Sequence, residues 1–335
     1  MLSHKSFLIT GGTGSFGRTL IEKLIETDIA EIVIFSRDEA KQHFMKQEYT
    51  DERLRFALGD VRNLHSVSRV LSGVDYVFHA AALKHVPASE QYPWEFFQTN
   101  VEGSNNLLTA LAPSLVSKAI FLSTDKAVYP LNAMGMSKAM MEKLVRSEMH
   151  RMNCVNTVTR YGNVIGSRGS VIPQFIESIR KHNRVLITAP EMTRFMMSLE
   201  DSVDLVLFAL ENGKPGDLFV QKSPAATVQT IVDALSLILE PKNLEVIVAG
   251  VRPGEKHHET LLTAEERMLA TEHEKYFQAS NLNGRDKIEN FSPAIAAQDY
   301  TSANTSLLNA EELAQMLLSI PQITEILATT TQRRG

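Results

Sequence analysis

Across the first 165 residues short apolar runs alternate with amphipathic segments, and this alternation restricts the fold more than any other property of the chain. The runs Ser6–Thr10, Glu31–Ser36, Leu54–Leu58, Tyr76–His79, Lys118–Ser123 and Thr157–Tyr161 have the length and apolar content of buried strands. Between them, Ser15–Glu26, Asp38–Glu48, Leu64–Leu71, Trp94–Leu111 and Gly135–Arg151 carry apolar residues at helical spacing. Strands separated by whole helices cannot pair as hairpins. They build βαβ units, and so an α/β fold with a doubly wound parallel sheet covered on both faces. The later chain is less regular, with a helix near Glu200–Leu210, a strand at Asp217–Val220 and a helix at Val228–Leu239. The end, Thr329–Gly335, reads as a frayed tail.

Composition narrows the class. With 44% hydrophobic and 22% charged residues the chain reads as a globular protein, and its net charge of −5 argues against a general nucleic-acid binder. No run approaches the ~18 apolar residues of a membrane span, and the N-terminus lacks the pattern of a secretory signal. The expectation is a cytoplasmic enzyme with no membrane partner. Cys154 is the only cysteine, so an internal disulfide or a cysteine-based zinc site is excluded. His257-His258-Glu259 resembles a metal cluster only superficially, because adjacent side chains diverge on regular elements; no metal is expected.

Thr10-Gly-Gly-Thr-Gly-Ser-Phe-Gly17 joins the first strand to the first helix. Gly11, Gly14 and Gly17 allow a tight turn and close approach of a pyrophosphate, with Thr13, Ser15 and Phe16 between them. In this position the triplet is a Rossmann dinucleotide signal. The second strand ends in Ser36-Arg37-Asp38, with Lys41 one turn on. A hydroxyl and two cations suit the 2′-phosphate of NADP, whereas Asp38 reads more simply as a helix N-cap. Asp60 and Val61 end the third strand, where a carboxylate can meet the adenine amino group. After His79, the small residues Ala80, Ala81 and Ala82 either admit the nicotinamide half or serve packing alone.

Ser123-Thr124-Asp125-Lys126 falls at the carboxyl end of the fifth strand, where ligands bind in open α/β sheets. Lys138 follows on the next helix, on one face with Met134 because they are four apart. These segments resemble an extended short-chain dehydrogenase/reductase. They depart from that superfamily at Met134, which stands where its Tyr-x-x-x-Lys motif has the acid/base tyrosine. A thioether cannot exchange a proton.

The likeness extends through Gly59–Arg62, Ala80-Ala-Ala-Leu-Lys-His-Val-Pro87, Arg160-Tyr-Gly-Asn-Val164, Ser167-Arg-Gly-Ser-Val171, Met192-Thr-Arg-Phe195 and Arg252-Pro-Gly-Glu-Lys256. Together these resemble the UDP-N-acetylglucosamine 4,6-dehydratase family, and the methionine resembles its capsule and O-antigen branch, which inverts carbon 5 on the way to UDP-N-acetyl-L-fucosamine. The resemblance implies a Rossmann domain over 1–165 and about 195–245, and a smaller α/β substrate domain over about 166–194 and 246–330. It implies Asp125 as acid, Lys126 as base and Lys138 on the nicotinamide ribose. Thr124, Lys126, Tyr129 or a water would replace the missing tyrosine, with Lys126 preferred. A lysine beside other cations and partly desolvated would have a lowered pKa suited to a base.

For the substrate, UDP-N-acetylglucosamine, the resemblance implies Asn163, Arg168, Ser170, Val171, Thr193, Arg194, Arg252 and Glu255, with Lys84 and His85 bordering the sugar. It also implies a homo-oligomer such as a hexamer, with contacts from the segment after Gly284. Two other readings remain at this level: a UDP-hexose 4-epimerase, which needs no elimination machinery, and a non-catalytic binder of NADP or nucleotide sugar silenced by Met134.

Overall fold

The computed structural model describes residues 2–148, 153–167, 169–280 and 298–329. In chain order its strands are β1 (Ser6–Thr10), β2 (Glu31–Ser36), β3 (Leu54–Leu58), β4 (Tyr76–His79), β5 (Lys118–Leu122), β6 (Val155–Arg160), β7 (Asn163–Val164) and β8 (Arg184–Ile187). There follow β9 (Thr193–Met197), β10 (Leu218–Gln221), β11 (Ala225–Thr227), β12 (Glu245–Val248), β13 (Thr260–Leu262), β14 (Ala270–Glu272), β15 (Tyr276–Ala279) and β16 (Tyr300–Thr301).

The principal sheet has the order β14-β15-β10-β6-β5-β4-β1-β2-β3. From β10 to β3 every pairing is parallel, and β15 and β14 close the far edge antiparallel. The strand order reverses between β1 and β4, which opens a crevice at the carboxyl ends of those strands, where doubly wound sheets bind ligands. Strand side chains alternate between faces. Leu8, Val33, Val77, Ala119 and Phe121 therefore feed one core, and Phe7, Ile9, Ile32, Ile34, Phe78 and Ile120 feed the other. A third core lies among the helices Val171–His182, Val228–Leu239 and Ala310–Ser319.

The four strands before residue 80 occupy the expected residues, and so does the helix Val228–Leu239. Other boundaries shift. β5 ends at Leu122, β6 begins at Val155 and ends at Arg160, and β10 is displaced by one residue from its expected range. The helix expected near Glu200–Leu210 runs Leu199–Asn212, fixed at its start by a Ser198/Asp201 capping box. The helix expected over Trp94–Leu111 divides into Pro93–Phe96, a π-helical turn Phe97–Glu102 and Gly103–Leu111. The inserted turn accompanies Asn100, whose side chain bonds both backbone groups of Leu83. The helix that carries Lys138 starts at Ala133, with Asn132 accepting from the Gly135 N–H, and runs to Ser147; Arg151, the expected end, lies outside the described residues. The segment after 246 also supplies β14 and β15 to the principal sheet. Most of the tail and the segment around Gly284 lie outside the described residues.

Candidate active site

The crevice side is built from the ends of β1, β2, β3 and β4. Gly11 has φ +68, and a Cβ there would sit 2.8 Å from the Ala81 nitrogen. A side chain on Gly17 would meet the Gly12 Cα at 2.5 Å. Gly14 caps the following eleven-residue helix without a side-chain bond, and no acidic residue occupies its first turn. The N-terminal amides and dipole thus face the crevice without a competing carboxylate, which fits a pyrophosphate. Thr13 Oγ1 and Ser36 Oγ lie 3.0 Å apart. Arg37 is exposed and reaches Asp60 at 3.4 Å, while Lys41 pairs with Asp38 at 2.6 Å. Asp38 is the N-cap, accepting from the Lys41 N–H. Asp60 also binds Arg62, and these arginines outweigh burial to hold its carboxyl below the usual range. Val61 is buried, in contact range of Gly103.

His79 fixes the loop that follows β4. It is buried between Thr10 Oγ1, 2.8 Å from Nδ1, and Ser104 Oγ, 3.0 Å from Nε2. Ser104 donates its proton to the Asn100 carbonyl, so Nε2 must be the donor to Ser104 and Nδ1 the acceptor from Thr10. Burial, with the charge of Lys138, pushes the imidazole down to about 3, so it is neutral. Thr10 Oγ1 in turn accepts from the Ala81 N–H. Ala80 and Ala81 are therefore held by hydrogen bonds to Thr10, whose hydroxyl is itself fixed by His79. Lys84 and His85 follow, both exposed.

The Asp125–Lys126 pair sits in a single 3-10 turn, Asp125–Ala127, after β5. Thr124 donates to Asp125 Oδ1 at 2.7 Å, and Lys126 Nζ donates to the same oxygen at 3.1 Å. Asp125 is fully buried, and among the described residues its Oδ2 has no hydrogen-bond partner. Gly135, on the helix that carries Lys138, packs directly on the Lys126 carbonyl. Lys138 is buried with Nζ 3.2 Å from Met141 Sδ. Burial pushes its ammonium down to about 8 against the opposing pull of Glu142. Met134 is buried one turn before it. Tyr129, on the intervening loop, is exposed and directs its hydroxyl to Asp299, away from this cluster.

The expectation that cations lower the Lys126 pKa is corrected. Burial alone would lower it and Arg194 assists, but Asp125 and Glu259 outweigh both and hold Lys126 well above the ordinary lysine value. Its Nζ lies 3.2 Å from Glu259 Oε1, a residue 2% exposed. Glu259 ends a strap, residues 252–259, that folds over the turn. Asn132 Nδ2 donates to the Gly254 carbonyl at 3.0 Å, and Lys256 Nζ donates to the carbonyls of Asp125 and Val128. Among the described residues no group of three His, Cys, Asp or Glu is placed to hold a metal ion. His258 instead meets Thr193 Oγ1 at 2.8 Å.

Beneath the turn lies a second buried charge cluster. Arg160 donates from Nε to Glu142 at 2.8 Å and from Nη1 and Nη2 to Glu266 at 2.7 and 2.9 Å. Ser123 donates to Glu142. Neither Glu142 nor Glu259 is among the residues expected from sequence. Their only signals are spacings: Glu142 is four residues beyond Lys138, and Glu259 is three beyond Lys256.

Of the expected substrate residues, the fold brings Arg194 and Glu255 to the strap. Arg194 is buried, donating to Glu255 Oε1 at 3.1 Å and lying 4.0 Å from Glu259. Thr193 commits its hydroxyl to His258 and Ser302. Asn163 pairs with Met196 of the same small sheet. Among the described residues, the buried atoms Asn163 Oδ1, Ser170 Oγ and Glu255 Oε2 have no hydrogen-bond partner. Val171, after the N-cap Ser170, and Arg252 are exposed, and no hydrogen bond among the described residues joins either side chain to the strap cluster. Arg168 lies outside the described residues.

Residues 7–281 match the polysaccharide biosynthesis protein family, and residues 274–324 match the polysaccharide biosynthesis protein C-terminal family. A UDP-glucose 4-epimerase of Rickettsia conorii is 48% identical over 338 residues, covering 97% of this chain and 98% of that protein. The crystal structure of Pen from Bacillus thuringiensis superposes with a TM-score of 0.88 at 32% identity, covering 97% of this chain and 99% of that one. A dTDP-glucose 4,6-dehydratase from Streptomyces venezuelae with NAD and TYD bound shares the fold, with a TM-score of 0.69 at 22% identity over 75% of this chain and 86% of that one.

Proposed function

The chain belongs to the polysaccharide biosynthesis protein family, among the nucleotide-sugar dehydratases and epimerases, and on that premise we propose that it is an NADP-dependent UDP-N-acetylglucosamine 4,6-dehydratase with 5-epimerase activity. The observation that carries this reading is the buried Asp125–Lys126 pair at the end of β5, with one carboxylate oxygen unpartnered. Epimerisation at carbon 4 needs no such second acid/base pair. Elimination of water across carbons 5 and 6 needs both a proton acceptor and a proton donor.

A nicotinamide dinucleotide held by the glycine loop, Ser36, Arg37 and Lys138 would supply oxidation at carbon 4 and reduction at carbon 6. The protein manages the protons. The carbon 4 hydroxyl passes its proton through Thr124 to the Asp125 carboxylate, leaving a carbon 4 ketone. This replaces the preference for Lys126 in that step, because Lys126 holds its proton at rest. Asp125, now a carboxylic acid, delivers that proton to the departing carbon 6 hydroxyl, which leaves as water. Neutral Lys126 takes the carbon 5 proton, which the ketone has acidified. A proton arriving on the opposite face of carbon 5 gives inversion.

Turnover is therefore expected to rise with pH. The raised pKa of Lys126 makes its neutral form scarce at neutral pH, and that fraction grows about tenfold per unit below the pKa. A pH profile of kcat that is flat or falls from pH 6 to 9 would remove Lys126 from the base role.

The cofactor preference has its own test. Arg37 is exposed, and its pair with Asp60 is of the kind that contributes only about 0–1 kcal/mol, so it is cheaply redirected to a 2′-phosphate. Arg37→Ala should weaken NADP binding by roughly tenfold or more and leave NAD binding nearly unchanged, the usual consequence of losing one charge-assisted contact. Equal losses for the two cofactors, measured by titration, would sink the NADP assignment.

The name of the Rickettsia conorii relative favours a second reading, a UDP-glucose 4-epimerase. Incubation with UDP-N-acetylglucosamine or UDP-glucose, read by mass spectrometry, separates the two. Loss of one water supports the dehydratase; unchanged mass with an altered sugar supports the epimerase.

A further inference from the structure

The geometry points to Glu259 as the positioning residue for Lys126, the fixed counter-charge that holds its ammonium in place and makes it a strong enough base to take the carbon 5 proton. This deepens the reading of Lys126 as the base and rests on it.

Lys126 Nζ sits between two carboxylates, 3.1 Å from Asp125 Oδ1 and 3.2 Å from Glu259 Oε1. The two differ in what the reaction asks of them. Asp125 gains and loses a proton, so its charge is absent at the step in which Lys126 becomes an ammonium. Glu259 takes no part in that exchange, and its backbone is anchored. Its backbone N–H donates to Ser302 Oγ at 2.9 Å, its carbonyl accepts from the Ser302 N–H at 2.8 Å, and Ser302 Oγ is 2.6 Å from Thr193 Oγ1 on β9. The strap preceding it is pinned to the loops before the catalytic helix through Asn132 and Lys256.

The charged groups around Lys126 are Asp125 on its own turn, Glu259 and Lys256 on the strap, and Arg194 on β9. Arg194 lies 4.0 Å and Lys256 3.9 Å from Glu259, so its carboxylate is shared among three cations and tethered to the closest. Glu259 Oε2 is buried without a hydrogen-bond partner. The carboxylate is therefore held by charge more than by hydrogen bonding, and neutralising it acts on Lys126 directly.

The test uses the full chain with NADP bound. In Glu259→Gln the shape is kept and the charge removed. The limb of kcat that rises with pH should move down by about one to three units, the usual effect of one opposite charge at contact distance. Its plateau should fall at least roughly tenfold, as expected for a weaker base, with KM changed less than about threefold. Glu259→Asp should restore part of the plateau and move the limb back. Selective 13Cε-lysine labelling, with the Lys126 signal assigned by its loss in Lys126→Met, should show the same downward shift of the titration midpoint without reference to turnover. A shifted midpoint in a protein that removes no water from UDP-N-acetylglucosamine keeps the Glu259 coupling and sinks the dehydratase reading. An unshifted midpoint and limb in folded Glu259→Gln, with only KM or stability changed, overturns the inference.

Discussion

Replacing Lys126 with methionine is expected to slow loss of water from UDP-N-acetylglucosamine by about 10²- to 10⁴-fold, the usual worth of a positioned acid/base group. Cofactor affinity should stay within about threefold, because the glycine loop and Arg37 follow β1 and β2 while Lys126 lies beyond β5. The substitution leaves Asp125 and Glu259 facing each other without an ammonium, so melting will fall as well. NADP titration therefore serves as the control that the crevice is intact. In deuterated water the native protein should place deuterium on carbon 5 of the product, since inversion delivers a solvent-derived proton to the face opposite Lys126. Lys126→Met should lose that label together with turnover. Near-native turnover in the variant would place the base elsewhere. Tyr129 would be a poor successor, since its exposed hydroxyl faces Asp299.

The half of the fold that forms the crevice is legible in the sequence for a physical reason. Strands buried on both faces must be apolar throughout, so β1 and β2 stand out as Ser-Phe-Leu-Ile-Thr and Glu-Ile-Val-Ile-Phe-Ser, and the glycines between them carry a backbone requirement visible as composition. The smaller sheets are not legible in that way. β7 and β16 have two residues each, and β13 pairs with β16 across about forty residues, so no local period marks them. The helix Ala310–Ser319 was within reach, since Asn309 and Glu312 form a capping box in plain sequence.

At the site, the Asp125–Lys126 turn follows from its place after β5. The charge of Lys126 does not. Its pKa depends on Glu259, 133 residues away in sequence and 3.2 Å away in space. Read along the chain, Glu259 belongs with two histidines; in the fold, the backbone turns it inward to Lys126 while His258 faces Thr193.

The largest effect on stability is expected from Arg160→Met. Arg160 is 5% exposed and makes charge-assisted bonds to both Glu142 and Glu266, along with one to the Leu261 carbonyl at 3.1 Å. Methionine keeps most of the volume and removes all the donors. Glu142 is then left with the Ser123 hydroxyl, and Glu266 with the Thr263 N–H at 3.1 Å and Arg146 at 3.7 Å. Breaking one side of a buried pair costs about 3–5 kcal/mol, a large share of the ~5–15 kcal/mol that holds a domain together.

The pH dependence fixes the sign. In the native protein burial would raise the Glu266 carboxyl, but Arg160 outweighs it and the pKa is lowered. A lowered carboxylate contributes stability that is present above its unfolded pKa and lost as pH falls through the folded one. In Arg160→Met the relation inverts. A carboxylate stranded in that interior takes up a proton more readily, so the penalty is largest at alkaline pH and shrinks as the pH falls. Urea midpoints at pH 8 and pH 5 should therefore differ between native and variant by more at pH 8. The cluster also joins the helix that carries Lys138 to the capping box at Thr263 and Glu266, so the variant should lose turnover with stability. A deficit below about 1 kcal/mol, or one of equal size at both pH values, would mean that Glu142 and Glu266 find other partners and that Arg160 does not hold the two segments together.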